Sequence, residues 1–271
     1  MSTESFEMTS SEEKMRRFQV AKQAALTAGK FVFSERNRQH SLEVKGLNDI
    51  VTEVDKASEK CIIDIIHANF PEDGIYAEET GIKTSRSSGR WIIDPIDGTE
   101  NFVRGIPFYA VSIAYEQTPG EPELGVVYSP STGELFSAVQ GGNAFLGKQP
   151  IKVSDTSKPK HAISFVAPPF RLHKYTDDYF SMYKKIFLQT CDVRNIGSAA
   201  LHMCYIAAGR ADGYFEYGVL PYDIAAGLVI LTEAGGTYSS LSGQGHPFNT
   251  SSIIATNGHL QSWYEEQARK P

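Results

Sequence analysis

Cysteine is scarce in this chain: three residues in 271, with no CxxC pair, which argues against a zinc site or a disulfide framework. Cys61, Cys191 and Cys204 stand in apolar surroundings, and this predicts three buried thiols in a reducing compartment. Long apolar runs are missing too; none reaches the roughly 20 residues that cross a membrane. The opening MSTESFEMTSSEEK has neither a basic start nor an apolar stretch, so the expected location is the cytoplasm, with no membrane partner. Basic clusters and basic-aromatic stripes are absent, and a formal net charge of -6 argues against a nucleic-acid partner. Without a Gly-x-Ser-x-Gly elbow or a Walker lysine motif, covalent serine catalysis and nucleotide-triphosphate chemistry are poor readings. Internal repeats and low-complexity segments are also lacking.

What remains is an ordinary globular composition, 21% charged and 11% aromatic, in a chain long enough for one large core or two modest ones. Ser10 or Ser11 followed by Glu12 and Glu13 reads as a helix start, and Phe18, Ala21, Ala25, Ala28 and Val32 recur at helical spacing, which predicts a helix over 12–36. The stretch 44–52, with Gly46, Asn48 and Asp49, reads as polar connecting chain. From Asp55 a second helical pattern carries Ile62, Ile65, Ile66 and Phe70 and ends at Pro71. Strands are predicted at 75–77, 90–93, 108–115, 124–129 and 134–139, the last two joined by a turn at Pro130-Ser131-Thr132-Gly133.

Polar residues from Lys152 to Pro159 mark a boundary between a unit over 1–155 and another over 156–271. Beyond it, strands at 162–166, 191–195, 213–216, 236–239 and 252–255 alternate with helices at 176–188, 198–208, 223–234 and 258–269. The first unit therefore reads as α+β and the second as α/β, a sheet covered by helices. Segments 108–115 and 162–166 read as core strands.

The segment Trp91-Ile92-Ile93-Asp94-Pro95-Ile96-Asp97-Gly98-Thr99 carries the chemistry. An apolar strand delivers two carboxylates three residues apart and breaks into a turn that can begin a helix. Pro95 removes a backbone donor, and Gly98 permits a close backbone approach. Backbone N–H groups there suit a phosphate oxygen, and the acids suit hard cations. Taken alone, Asp94 and Asp97 read equally well as helix-capping acids. Glu78 after strand 75–77, and Asp223, supply further oxygens, although Glu78 alone reads as an exposed loop acid. Thr99 reads locally as a helix cap or as a hydroxyl facing a water, and Asp55 as a first-turn acid or as the acceptor for Thr99. His202 reads as a packed helix histidine with its hydrogen bonds satisfied. His40, His67 and His173 lack metal-ligand spacing.

WIIDPIDGTENF resembles the metal-binding signature of the inositol monophosphatase family, and Pro221 to Gly227, PYDIAAG, resembles its second signature, WDxAAG. Val51-Thr52-Glu53-Val54-Asp55, Ala77-Glu78-Glu79-Thr80 and Gly197-Ser198-Ala199-Ala200 extend the resemblance over nearly the whole chain. Tyr222 stands where the family usually has Trp, which keeps an aromatic wall and loses the indole donor. The resemblance implies a layered αβαβα fold, Mg2+-dependent hydrolysis of a phosphomonoester, lithium inhibition and a homodimer.

It further implies that Glu78, Asp94 and the carbonyl of Ile96 hold one Mg2+ and that Asp94, Asp97 and Asp223 hold a second, with a third near Glu78 and Asp97. Thr99 and Glu78 would position or deprotonate the attacking water, with Asp55 orienting Thr99. Gly98 and Thr99, with Lys45 above them, would bind the phosphate. Gly197, Ser198 and Glu216, beside Asp97 and Asp223, would face the alcohol. Inositol 1-phosphate is the leading substrate among small phosphorylated metabolites. Histidinol phosphate comes next, because Asn101-Phe102-Val103-Arg104-Gly105-Ile106-Pro107 resembles the same stretch in some histidinol-phosphate phosphatases. A broad sugar or nucleotide phosphatase is third, and a noncatalytic phosphate-binding protein is the reading from a different class.

Overall fold

Phe18, Ala21, Ala25, Ala28 and Val32 are all buried along one face of α1 (Ser10–Glu35). The structure is a computed structural model that describes residues 10–47, 49–83 and 89–269; the first nine residues and Asn48, on which part of the sequence reading fell, lie outside the described residues. The stretch 44–52 is not irregular chain. It belongs to a hairpin of β1 (Leu42–Gly46) and β2 (Asp49–Thr52), in which Leu42 faces Thr52. Every residue of β1 is exposed, so no apolar alternation announces it.

Thr52 then starts α2 (Glu53–Asn69) with a reciprocal cap. Its hydroxyl accepts from the backbone of Val54 at 3.1 Å, while Asp55 Oδ2 accepts from the backbone N–H of Thr52 at 2.9 Å. One oxygen of Asp55 is thus committed to the helix start, and the other points elsewhere. Buried Arg17 of α1 donates to both oxygens of Asp73, at 3.0 and 3.1 Å, and Trp91 Nε1 adds a third bond at 3.1 Å. This trio ties α1 to the sheet, and removing one charge from such a pair typically costs about 3–5 kcal/mol.

The strands that follow are β3 (Gly74–Ala77), β4 (Gly81–Lys83) and β5 (Arg90–Asp97), then, after the short α3 (Thr99–Val103), β6 (Ala110–Thr118), β7 (Glu121–Ser129), β8 (Glu134–Val139), β9 (Ala144–Leu146) and β10 (Gln149–Ile151). They form an eight-stranded sheet in the order β10-β9-β8-β7-β6-β5-β3-β4. Strands β9 and β10 were not anticipated; at three residues each, they are too short to show a period. The second half comprises β11 (Ile163–Ala167), α4 (Thr176–Phe187), β12 (Asp192–Arg194), α5 (Ala199–Ala207), β13 (Gly213–Tyr217), α6 (Pro221–Glu233), β14 (Thr237–Ser239), α7 (Pro247–Thr250), β15 (Ser252–Thr256) and α8 (Gln261–Ala268). Its five strands run β12-β11-β13-β15-β14.

The layering follows from where the apolar faces meet. α1 and α2 pack Phe18, Ala25, Ile62 and Ile66 on one side of the large sheet with Trp91 and Ile113. α5 and α6 fill the space between the sheets, where Leu201, Met203, Ile224 and Leu228 meet Val127 and Phe136 on one side and Phe165 and Tyr214 on the other. α4 and α8 cover the outer face of the small sheet through Tyr179, Met182 and Tyr264. The result is the αβαβα sandwich. Small residues set its tightest spacing: a Cβ on Gly125 of β7 would stand 2.3 Å from the carbonyl oxygen of Ala226 in α6, so only glycine lets that helix lie so close.

Segments 108–115 and 162–166 are core strands, as expected, with Val111, Ile113, Phe165 and Val166 buried. The cysteines depart from expectation. Cys204 is buried, Cys61 is half-buried and Cys191 is exposed, because Cys191 lies in the turn that leads into edge strand β12 rather than in the core.

Candidate active site

Strand direction decides where the chemistry gathers. In the large sheet β3 and β5 run parallel, and in the small sheet β11 runs parallel to both β12 and β13. The C-terminal ends of all five strands deliver residues to one cavity of about 480 Å3: Glu78, Asp94 and Asp97 from the first sheet, Pro168, Asn195 and Glu216 from the second. Asp223 reaches the same wall from the first turn of α6.

A bulge between Asp94 and Asp97 shifts the register of β5 against β6, so that Asp94 pairs with Ser112 and Asp97 with Ala110 while Pro95 and Ile96 have no partner in that ladder. Asp94 Oδ1 accepts from the backbone of Ile96 at 3.0 Å. Asp97 crosses to the other half of the chain, where it accepts from Ser198 Oγ at 2.5 Å, Ala200 N at 2.8 Å and Ala199 N at 3.3 Å. Asp223 Oδ2 accepts from Leu220 N at 2.6 Å. A hydrogen bond joins the carboxyls of Glu78 and Asp94.

Burial dominates the electrostatics of these acids. It pushes Glu78 up to about 7, with Glu79 and Asp55 adding repulsion and Lys45 opposing it. Asp97 is pushed up to about 6 by burial, against the donors of Ser198, Ala200 and Ala199 and the charge of Arg171. Asp94 and Asp223 stand well above the usual carboxylate range, for burial first and neighbouring acids second. Among the described residues, no three such side chains are closed into a cage as they stand. The backbone brings them to one wall, and hydrogen bonds from Ile96, Leu220, Ser198, Ala199 and Ala200 fix the orientations of Asp94, Asp223 and Asp97 there. An all-oxygen set this desolvated and this crowded suits a hard divalent cation.

The remaining expected residues fall around this wall. Thr99 donates to Asp55 Oδ1 at 2.9 Å and to the carbonyl of Ile96 at 3.0 Å, so Asp55 is a helix-cap acid and the acceptor for Thr99 at once. Gly98 adopts φ +95 at the start of α3, and no side chain among the described residues caps that helix. Gly197, Ser198 and Glu216 line the cavity. Lys45 lies on β1 rather than on irregular chain, and its ammonium reaches Glu79 at 2.5 Å and Glu78 at 3.5 Å from outside the cavity lining. Tyr222 packs edge-on against Tyr76 at 5.8 Å, and the charges of Asp223, Glu78 and Asp94 help burial to push its phenol up, so an aromatic ring does flank the acids.

Other contributors escaped the sequence reading. Glu59, one turn after Asp55 on α2, accepts from Glu79 N at 2.8 Å and Thr80 N at 2.9 Å and so shapes the Glu78 loop; its spacing from Asp55 on a buried face was the available signal. Arg171 is the one cation among the described residues that line the cavity, and it follows β11 in a loop without a motif. Tyr214 donates to Glu216, whose carboxyl burial pushes up to about 7. His202 also lines the cavity and corrects expectation: Nε2 accepts from Ile196 N at 3.2 Å, but Nδ1 has no partner among the described residues.

For acids whose folded-state pKa is raised, stability is present at low pH and is lost as pH rises through the folded-state value. The unfolding midpoint of the metal-free protein is therefore expected to fall between about pH 5 and about pH 8, and added Mg2+ to restore more of it at the higher pH. Thermal denaturation with chelator and with Mg2+ measures both; a midpoint that rises with pH in chelator would contradict the crowding described here.

This layered fold is shared with phosphatases of known sequence and structure. The model of the inositol monophosphatase family matches residues 13–270. The chain is 41% identical over 244 residues to the Nus factor SuhB of Pasteurella multocida, covering 89% of this chain and 88% of that protein. It is 38% identical over 254 residues to the fructose-1,6-bisphosphatase/inositol-1-monophosphatase of Aquifex aeolicus, covering 93% and 95%. Among solved structures, the extragenic suppressor protein suhB from Bartonella henselae superposes with a TM-score of 0.89 at 33% identity, over 93% of this chain and 98% of that one. The Thermotoga maritima IMPase gives a TM-score of 0.85 at 34% identity, over 93% and 96%. The chain belongs to the inositol monophosphatase family.

Proposed function

We propose that this protein is a Mg2+-dependent phosphomonoesterase whose leading substrate is inositol 1-phosphate. The observation that carries this reading is the convergence of Glu78, Asp94, Asp97 and Asp223 on one cavity wall beside the Thr99–Asp55 hydrogen bond. Residues 1–155 supply most of the metal ligands, and residues 156–271 supply Asp223 and the alcohol side. Bound to these carboxylates and the Ile96 carbonyl, Mg2+ would neutralise phosphate charge and lower the pKa of water.

The chain's own residues do the rest. Asp55 holds the Thr99 hydroxyl in one orientation, Glu78 takes the proton of the attacking water, and the backbone of Gly98 and Thr99 receives the phosphate with Lys45 above. Glu216, half-buried and held by Tyr214, accepts a ring hydroxyl, and Gly197 and Ser198 shape the wall beside it. The same reading carries a cytoplasmic homodimer and lithium sensitivity.

A panel of inositol 1-phosphate, histidinol phosphate, fructose 1,6-bisphosphate, NADP and 3'-phosphoadenosine 5'-phosphate, assayed for phosphate release, tests the substrate. Stronger turnover of any other member displaces inositol. Within that panel, Glu216→Gln is expected to cost inositol 1-phosphate about 1.5–3 kcal/mol in transition-state binding, the value of a charged hydrogen bond, and a small aryl phosphate much less. Equal losses would assign Glu216 to the metal side instead. The Nus factor name of the Pasteurella relative supports a second, noncatalytic role beside the first. Complementation of that relative's loss by a variant with no phosphate release tests it.

A further inference from the structure

Ile196 lies between β12 and α5, and side chains take both of its backbone polar groups. Its N–H donates to Nε2 of His202 at 3.2 Å, and its carbonyl accepts from Nδ2 of Asn101 at 2.7 Å. The same Asn101 nitrogen donates to the carbonyl of Phe108 at 2.6 Å, so both of its N–H bonds are used. Asn101 sits in α3, two residues after Thr99, and His202 sits in α5. The junction has no slack: a Cβ on Gly197 would stand 2.7 Å from Asn101 Nδ2, and one on Gly98 would stand 2.9 Å from the carbonyl oxygen of Gly197.

The tautomer of His202 gives the second observation. Burial pushes its imidazole down to about 3, so the ring is neutral, and Nε2 accepts a backbone N–H, so the proton sits on Nδ1. That Nδ1–H is buried without a partner among the described residues, while the ring is held between Phe165 and Tyr214, each at 4.7 Å. An unpaired buried donor is costly, and what this tautomer gains is the acceptor that Ile196 requires. Two residues further on, Ser198, Ala199 and Ala200 present the three donors that orient Asp97.

We propose that Asn101 and His202 are positioning residues that clamp Ile196 from both sides and so hold the start of α5, with the donors that orient Asp97, against the Asp94–Thr99 loop. This rests on the metal-binding role proposed for Asp97. Supports of this kind behind a metal ligand typically change affinity by about 10–100-fold when lost.

The test combines hydrogen exchange of residues 196–201, Mg2+ titration calorimetry on the substrate-free protein, and nitrogen NMR of His202. Asn101→Ala and His202→Leu are each expected to weaken Mg2+ binding by about tenfold or more and to speed exchange in 196–201 by about tenfold or more over the rest of the chain. His202→Gln, whose carbonyl can replace the Nε2 acceptor, is expected to restore most of both. The wild-type ring should stay in the Nδ1–H form from about pH 5 to about pH 9. Unchanged metal affinity, a uniform rise in exchange along the whole chain, failure of glutamine to rescue, or an Nε2–H ring would each overturn the clamp. Absence of phosphate release from the wild type would remove the catalytic reading and leave these measurements to judge the clamp by themselves.

Discussion

Asp94→Asn is expected to lower turnover by about 100-fold or more while leaving the metal-free protein at least as stable as the wild type. Asp94 is buried among Glu78, Asp97 and Asp223, and all three acids disfavour its charge. Asparagine keeps the oxygen that accepts from Ile96 and offers Glu78 an N–H, so the metal-free site loses repulsion and keeps its hydrogen bonds. What disappears is the charge proposed to be shared by two cations. Steady-state rates across a Mg2+ series, with thermal denaturation in chelator, measure the two halves of the prediction. Near-normal turnover at subsaturating Mg2+ would show that Asp94 does not bridge.

Replacing Gly98 by alanine strikes backbone instead of charge. The residue adopts φ +95, and its Cβ would stand 2.9 Å from the carbonyl oxygens of both Gly197 and Phe108. The left-handed conformation alone costs an L-residue about 1–2 kcal/mol, and Asn101 holds the carbonyl of Phe108 directly and that of Ile196, the residue before Gly197, so neither wall yields freely. The loop must shift, and a displacement of about 1 Å at a reacting centre can cost about 100-fold in rate. Gly98→Ala is therefore expected to lose both stability and turnover, where Asp94→Asn loses turnover alone. Retention of wild-type kcat in a Gly98→Ala protein would remove the turn from the phosphate site.

The long elements were legible because burial imposes a period. The stripe from Phe18 to Val32 and the apolar runs of β5, β6 and β7 each read correctly within a few residues. The hairpin carrying Lys45 was not, since a strand solvated along its whole length leaves no pattern. At the site, motifs located the acids, Thr99 and Asp55, whose capping bond and bond to Thr99 use different oxygens. Arg171 and the bond from Asn101 to Ile196 were hidden for another reason. Their contacts join segments far apart in sequence, as Asn101 does with Ile196, 95 positions away, and no local spacing encodes such a meeting. Cys191 was misjudged by the same limit, because apolar neighbours in sequence do not bury a residue at a sheet edge.

The five parallel-paired strand ends bring the cavity its residues from two separate hydrogen-bond ladders. β3 and β5 carry Glu78, Asp94 and Asp97, while β13 carries Glu216 and β11 and β12 lead into Pro168 and Asn195, all outside the large sheet's hydrogen-bond ladder. Changes in length or side chain between Pro168 and Leu172 can redraw the wall proposed to face the alcohol without touching the backbone that carries the acids, whereas Leu220 holds Asp223 and ties the 217–220 turn to them. Such an arrangement would let the proposed hydrolytic centre be inherited intact while the choice of phosphate ester drifts. Exchange of the 168–172 loop between relatives is accordingly the shortest route to a new substrate on this scaffold.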